Sequence, residues 1–266
     1  MAAAGKDSII RVKIIRHAHS IANEYKDKHH KLATEEKYRD PRLSDKGILS
    51  IETERNKIQK KLGHPELFLC SPLLRTTETL LRIYQDIKLP KKLPIKIFPL
   101  VCEIGNIIEN KGSSREDTKK KILKFPNSNL FDSDDLSYYD YGWKKSKGAG
   151  KSWKDLEGDV LHNKDNIRFP LFQHFLDITM YKDIVIVSHH MFIDMLYKYI
   201  CKSNKKVSKK IKIDNLDGIS FTYNKDTQEF NDVKKLSDNS MLEKYLKYKR
   251  KYCALRDSIS NTIGTK

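Results

Sequence analysis

Four short apolar runs of strand-like composition constrain the fold of this chain most, because reactive polar side chains directly follow each of them. The runs are Ile9–Ile15, Leu67–Cys70, Ile97–Val101 and Ile184–Val187. Open α/β sheets bind their ligands at the edge where the carboxyl ends of the strands meet. We therefore predict an α/β fold whose functional site lies at that edge of the sheet.

The polar side chains that follow these runs are chemically matched. Arg16-His17 follows the first run, Arg75 lies five residues after the second, Glu103 follows the third, and His189 follows the fourth. A histidine beside a guanidinium places a nucleophile next to a phosphate-binding group, and arginine matches two phosphoryl oxygens with its planar fork. Because these groups follow separate strands, we expect them to meet in one site for phosphoryl chemistry.

The motifs around these residues resemble those of the histidine phosphatase superfamily, in particular its phosphoglycerate mutase-like branch. Five elements occur in the order of that family, which makes the signal specific, and they extend over roughly Ile9 to Tyr223. The elements are the Arg-His signature Arg16–Asn23, the Leu-Ser-x-x-Gly element in Asp40–Gly47, the Ser-Pro-Leu-x-Arg-x-x-x-Thr element in Ser71–Thr79, the acid Glu103, and Ser188-His189.

This resemblance implies a three-layer α/β/α sandwich with a mainly parallel central sheet and an inserted cap region. It also implies a phosphoric monoester hydrolase of the histidine acid phosphatase type, which acts through a phosphohistidine on a small phosphorylated metabolite or nucleotide. No metal and no cofactor are expected, because arginines supply the positive charge at the site.

The same resemblance assigns a role to each matched residue. His17 is the nucleophile, Glu103 is the general acid and base, and Asn23 is a neutral donor to the substrate. Arg16, Arg75 and His189 bind the phosphoryl oxygens and take part in catalysis. His190 is a second candidate for proton transfer, or a substrate contact.

The sequence departs from the family pattern at several positions. Ala18 replaces a glycine, His19 stands where Glu or Gln is common, and His190 replaces the glycine after the second histidine. Glu103 is followed by Ile104-Gly105-Asn106 and not by the Arg-Tyr-Gly of glycolytic mutases. These departures favour a phosphatase of another substrate over phosphoglycerate mutase.

Two other functions stay open at this point. One is a phosphomutase of the same chemistry, and the other is a catalytically weak module that binds phosphorylated ligands or nucleic acid. The chain carries 52 Lys and Arg against 35 Asp and Glu, a formal charge of +17, which attracts anions. Since no aromatic-basic reading motif accompanies this charge, nucleic acid is a less favoured partner than a small phosphorylated substrate.

Composition and cysteine usage suggest a cytoplasmic protein. The four cysteines, Cys70, Cys102, Cys201 and Cys253, are far apart and fit no metal spacing, so we expect reduced thiols. No apolar run approaches the length that crosses a bilayer, and the first residues lack the apolar segment of a secretory signal. The adjacent pair His29-His30 is interpreted as solvated, not metal-binding.

The domain organisation is predicted as one phosphatase domain over residues 1–236, with an insert at about 106–150, and a basic helical tail over 237–266. The tail is rich in Lys and Tyr, as short helices of large DNA virus proteins are, which suggests a viral origin. Helices are predicted over 45–62, with Ser44 as N-cap, and over 73–86, 165–181 and 191–201. Residues 24–39 are predicted as a loop or short helix, and further strands over 210–213, 218–223 and 229–236.

Overall fold

The computed structural model describes residues 8–85, 95–113, 115–125, 128, 168–204 and 211–237. Six strands in these ranges form one sheet: β1 (Ile9–Arg16), β2 (Leu67–Cys70), β3 (Ile95–Ile97), β4 (Asp183–Ser188), β5 (Gly218–Asn224) and β6 (Glu229–Lys235). Their order across the sheet is β3-β2-β4-β1-β5-β6. The first four are mutually parallel, β5 pairs antiparallel with β1, and β6 pairs antiparallel with β5.

Helices cover both faces of the sheet, so the predicted three-layer α/β/α architecture with a mainly parallel sheet is confirmed. The described helices are α1 (Ile21–His29), α2 (Asp45–Leu62), α3 (Leu74–Ile83), α4 (Arg115–Ile122), α5 (Arg168–Ile178) and α6 (His190–Ser203). Apolar side chains of α2, α3 and α4 pack in one core cluster with alternate residues of the central strands. Those of α5 and α6, including four phenylalanines, pack in a second cluster on the opposite face.

Side chains cap the two helices that begin beside the sheet edge, because they accept hydrogen bonds from the free backbone N–H groups of the first turn. Ser44 accepts a hydrogen bond from Gly47 N–H and starts α2, as predicted from the sequence. Ser20 and Asn23 form a reciprocal capping box at the start of α1, which lies where the sequence indicated a loop or short helix. Ser20 lies three residues after His17, and the Ser44 N–H donates to the His19 carbonyl oxygen at 3.0 Å, so both caps help to fix the loop that carries His17.

The predicted elements agree with the structure except at two places. The strand expected over Ile97–Val101 ends at Ile97, and Pro99–Val101 forms a 3₁₀ turn, because Pro99 lacks the N–H that a ladder needs. The strand expected over residues 210–213 is wrong for its described part, since Ile211–Ile213 does not pair with the sheet. Instead, the Ile213 carbonyl accepts a hydrogen bond from the Arg16 side chain.

Several predictions concern residues outside the described ranges. These are most of the insert at 106–150, residues 238–266 of the tail with Cys253, and the first residues of the chain. The viral origin also stays a prediction.

Cys70, Cys102 and Cys201 are buried free thiols. Among the described helices, none combines the length and the hydropathy that a bilayer crossing requires.

The close packing of α2 against the nucleophile loop leads to a stability prediction for Gly47. A Cβ atom at Gly47 would lie 2.0 Å from the backbone oxygen of His19. Gly47→Ala should therefore lower the free energy of unfolding by roughly 1–3 kcal/mol, although alanine favours helices over glycine by about 1 kcal/mol. Urea unfolding measures the effect, with Leu49→Ala, on the exposed side of the same helix, as the control. A Gly47→Ala protein as stable as the parent would contradict this packing.

Candidate active site

His17 lies at the carboxyl end of β1 with its ring orientation fixed by two neighbours. Its Nδ1 is 2.6 Å from the carbonyl oxygen of Ala18, so Nδ1 carries the ring hydrogen and donates it. Its Nε2 accepts a hydrogen bond of 3.2 Å from Arg75 Nε. This tautomer places the lone pair of the imidazole on Nε2, beside a guanidinium.

The charge state of His17 follows from its surroundings. Burial lowers the pKa of His17 well below its ordinary value, and the neighbouring cations Arg75 and Arg16 lower it further. The ring is 3% exposed. His17 is therefore neutral at physiological pH, the form in which an imidazole nitrogen is nucleophilic.

His189 lies behind His17 and is fully buried. The two rings meet edge to face with centroids 5.1 Å apart. Its Nε2 is 2.8 Å from the Ser71 hydroxyl, and its Nδ1 has no hydrogen-bond partner among the described residues. Burial, with Arg75 as the largest of the nearby charges, lowers the pKa of His189 well below its ordinary value.

Two arginines supply positive charge at the same place. Arg75 uses three of its N–H groups, on His17 Nε2, the Glu109 carbonyl oxygen at 2.6 Å and the Asn110 Oδ1 at 3.0 Å. Arg16 donates to the Ile213 carbonyl, and its buried Nε has no partner within the described ranges. Burial lowers the pKa of Arg16, but from so high a value that the group stays charged.

Glu103 sits opposite these cations at the start of α6. Its Oε1 accepts the backbone N–H groups of Ile104, Met191 and Phe192, at 2.9, 3.1 and 3.3 Å. Burial raises the pKa of Glu103, while these hydrogen bonds and the two arginines act against the rise. One carboxyl oxygen is thus fixed by the helix, and Oε2 is left as the oxygen that can exchange a proton.

The three remaining candidates near the nucleophile take different positions. Asn23 and His190 line the same cleft as His17, and His190 Nδ1 is 3.3 Å from the Ile213 carbonyl oxygen. His19 points away from the cleft, and bridges Ser44 Oγ at 2.7 Å and Asp27 Oδ2 at 3.0 Å. The family departure at position 19 therefore links α1 to the cap of α2.

The structure adds residues that the sequence reasoning missed. Arg168, at the start of α5, is buried and donates to the Cys102 carbonyl oxygen at 2.7 Å, directly before Glu103. Thr79 Oγ1 accepts from Ala18 N–H and donates to the Arg75 carbonyl oxygen, which ties the nucleophile loop to α3. Thr79 lies in a family motif and could have been identified there, but the role of Arg168 depends on packing between distant segments.

These side chains open into one cleft of about 460 Å³ at the predicted edge of the sheet. Arg16, His17, Arg75 and Glu103 lie at its base, while His189 lies behind His17 and does not line it. The five predicted catalytic residues are therefore brought together. The described residues contain no group of three or more potential metal ligands, and His29 and His30 are exposed.

Asp40 is a buried carboxyl that lies outside α3 and caps the start of that helix. Its Oδ1 accepts the Leu74 N–H at 2.8 Å, at the start of the helix that carries Arg75. Its Oδ2 is buried with no partner among the described residues. Burial raises the pKa of Asp40 to about 6.

Comparison with known proteins finds similarity only at the level of structure, because no family model and no curated protein sequence matches the chain. The chain is similar to the ecdysone phosphate phosphatase of Bombix mori, with a TM-score of 0.49 and 11% identity over 83% of this chain and 91% of that one. It is similar to a phosphoglycerate mutase from Bacillus anthracis, with a TM-score of 0.45 and 14% identity over 85% and 92%. A phosphoserine phosphatase from Entamoeba histolytica gives a TM-score of 0.42 and 18% identity over 80% and 90%.

The solved structures found in this way are members of the histidine phosphatase superfamily, the family whose motifs the sequence resembles. This likeness concerns the fold, and activity and substrate depend on the residues at the base of the cleft.

The raised pKa of Asp40 leads to a pH-dependence of stability. Folding raises this pKa from 3.8 to about 6, so the ionised carboxyl destabilises the native state above pH 6, and the cost fades as the pH falls towards 4. Asp40→Asn removes the charge and keeps an oxygen for the Leu74 N–H. The stability of Asp40→Asn relative to the parent should rise by roughly 2 kcal/mol between pH 4 and pH 7.

Urea unfolding at the two pH values measures this difference, with Asp226→Asn, in the exposed turn after β5, as the matched control. A difference that does not change with pH would mean that burial does not hold a proton on Asp40.

Proposed function

We propose that this protein is a metal-independent phosphomonoesterase that acts through a phosphohistidine at His17. The observation that carries the proposal is the set of groups at the base of one cleft: the lone pair of His17 Nε2, the guanidinium groups of Arg16 and Arg75, and the Glu103 carboxyl. The buried Arg16 Nε has no partner within the described ranges, and a buried polar nitrogen is costly without one. A phosphoryl group bound at the base of the cleft would supply it with an oxygen.

Binding of the phosphoryl group draws on groups that are already in place. The guanidinium groups of Arg16 and Arg75 bind its oxygens, and Asn23 adds a neutral contact. His189 packs against the His17 ring from behind. Arg75 retains two N–H groups beyond the three that it uses. The positive charge that a metal would otherwise supply comes from these arginines, which stabilise the charge of the transition state.

The first chemical step transfers the phosphoryl group to the protein. His17 Nε2 attacks phosphorus in line, a P–N bond forms, and the P–O bond of the ester breaks. The Glu103 carboxyl gives its proton to the leaving alkoxide oxygen. Since Nδ1 of His17 donates to the Ala18 carbonyl, Nε2 is the nitrogen free to attack once the substrate displaces the Arg75 contact.

The second step returns the protein to its first state. The Glu103 carboxylate accepts a proton from a water molecule, the water oxygen attacks phosphorus, and the P–N bond breaks. Inorganic phosphate and neutral His17 are released. Two displacements through a covalent intermediate thus replace one difficult hydrolysis.

Replacement of the nucleophile gives the first prediction of this proposal. His17→Ala should lose phosphate release from para-nitrophenyl phosphate and from metabolite phosphates in the presence of EDTA, and the parent should keep it. A brief reaction with ³²P-labelled substrate, quenched in alkali, should trap a phosphohistidine on the parent alone. His64→Ala, distant from the cleft, is the control. Equal turnover by His17→Ala and the parent would exclude the mechanism.

The same quench distinguishes a hydrolase from a mutase. In a phosphatase, water discharges the phosphoenzyme within the turnover time, whereas a mutase retains it until a second substrate arrives. A labelled protein that is stable for minutes in water would favour the mutase alternative.

Replacement of the acid gives the second prediction. Glu103→Gln should lower kcat on alkyl phosphates by roughly 100- to 10,000-fold, because their alkoxide needs a proton. On para-nitrophenyl phosphate the loss should be much smaller, since the phenolate leaves unaided. In the parent, kcat/KM on alkyl phosphates should fall as the pH rises through the raised pKa of Glu103, and this limb should vanish in Glu103→Gln. Equal losses on both substrates would rule out the acid role.

A further inference from the structure

The outer part of the cleft differs in character from its base. Five apolar residues from four separate segments line the cleft: Leu32, Ile104, Ile107, Met191 and Ile213. Leu32 is 44% exposed and Met191 is 41% exposed. Single exposed apolar residues are common on protein surfaces, but several that face one cleft indicate a ligand-binding wall.

The charged residues that line the cleft, apart from Arg16, Arg75 and Glu103, balance one another. Among the described residues these are the cations Lys26 and Lys212 and the carboxylates Glu109 and Asp214. Lys212 Nζ and Asp214 Oδ1 are already paired at 3.2 Å. Arg16 and Arg75, in contrast, concentrate positive charge at the base, so a second phosphate in the outer part would meet no comparable excess of cations.

From this division we infer that the substrates are phosphate monoesters of uncharged, apolar alcohols. The inference rests on the proposed function, because it assigns the cleft base to the phosphoryl group. The apolar wall then contacts the alcohol. A cleft of about 460 Å³ lies within the size range of small-molecule sites. Nucleotides and bisphosphates, which carry further charge on the leaving group, are disfavoured.

The size of the expected preference follows from the hydrophobic effect. Each methylene that moves from water onto an apolar wall gains about 0.8 kcal/mol, or roughly fourfold in an equilibrium or rate constant. For primary n-alkyl phosphates, whose leaving alkoxides have nearly the same basicity, kcat/KM should therefore rise about fourfold per carbon until the wall is covered. Glycerol phosphate and 1,3-propanediol bisphosphate should be poorer substrates than propyl phosphate.

The first arm of the test measures kcat/KM on the series from ethyl to octyl phosphate. A rise with chain length supports the inference. Equal values along the series, or a higher value for the bisphosphate than for propyl phosphate, would overturn it while the proposed function stands. The absence of turnover on every ester would count against the proposed function.

The second arm measures binding without chemistry. An n-alkylphosphonate has no ester bond to break, so its dissociation constant, measured by calorimetry, reports the wall whether or not the protein turns over. The constant should fall about fourfold per carbon in the parent. Met191→Gln should flatten this slope, and Met180→Gln, at a residue that is 83% exposed and does not line the cleft, should leave it unchanged. Slopes that are equal in Met191→Gln and the parent would refute the assigned wall.

Discussion

The parallel pairing of β1 with β4 is the constraint on which the site depends. Its register sets Ile15 opposite Val187 and Arg16 opposite Ser188, and the His17 N–H continues the ladder to the Ser188 carbonyl at 2.9 Å. His17 and His189 therefore follow the ends of two neighbouring strands at the same height along the sheet. A slip of one residue would turn every side chain of β1 to the other face. The apolar residues of the two strands fix the register, so core packing and active-site geometry are the same structural requirement.

Further hydrogen bonds fix the orientation of the side chains that follow these strands. The Ala18 carbonyl sets the ring orientation of His17, and Thr79 ties the Ala18 amide to the helix that carries Arg75. On the other side, the start of α6 holds one oxygen of Glu103. Most of these partners are backbone groups, whose positions are fixed by secondary structure. These contacts therefore fix the candidate catalytic side chains largely through the backbone.

The sequence predicts the parts of the molecule that local chemistry determines. The bounds of α2 follow from Ser44 and the glycine after Leu62, and four strands are recognised from short apolar runs. The motifs identify the five residues that meet at the sheet edge. The third strand ends before the apolar run that predicts it does, because apolar content alone takes no account of the missing N–H of Pro99. The partners of Arg75 at Glu109 and Asn110 were not predicted, since they depend on how the segment after Glu103 folds back, which no periodic pattern encodes.

Under the proposed function, the buried charge around the cleft connects substrate binding with reactivity. Arg16, Arg75 and Arg168 place three guanidinium groups around the base of the cleft, and Glu103 and Asp40 both have raised pKa values that weaken their compensation of this charge. Burial, together with this positive charge, disfavours a proton on His17 and His189, so both imidazoles stay neutral. A phosphate dianion, the ligand of the proposed reaction, would offset this positive charge. In that reaction the arginines that bind the phosphoryl group would also help to keep the attacking nitrogen of His17 unprotonated.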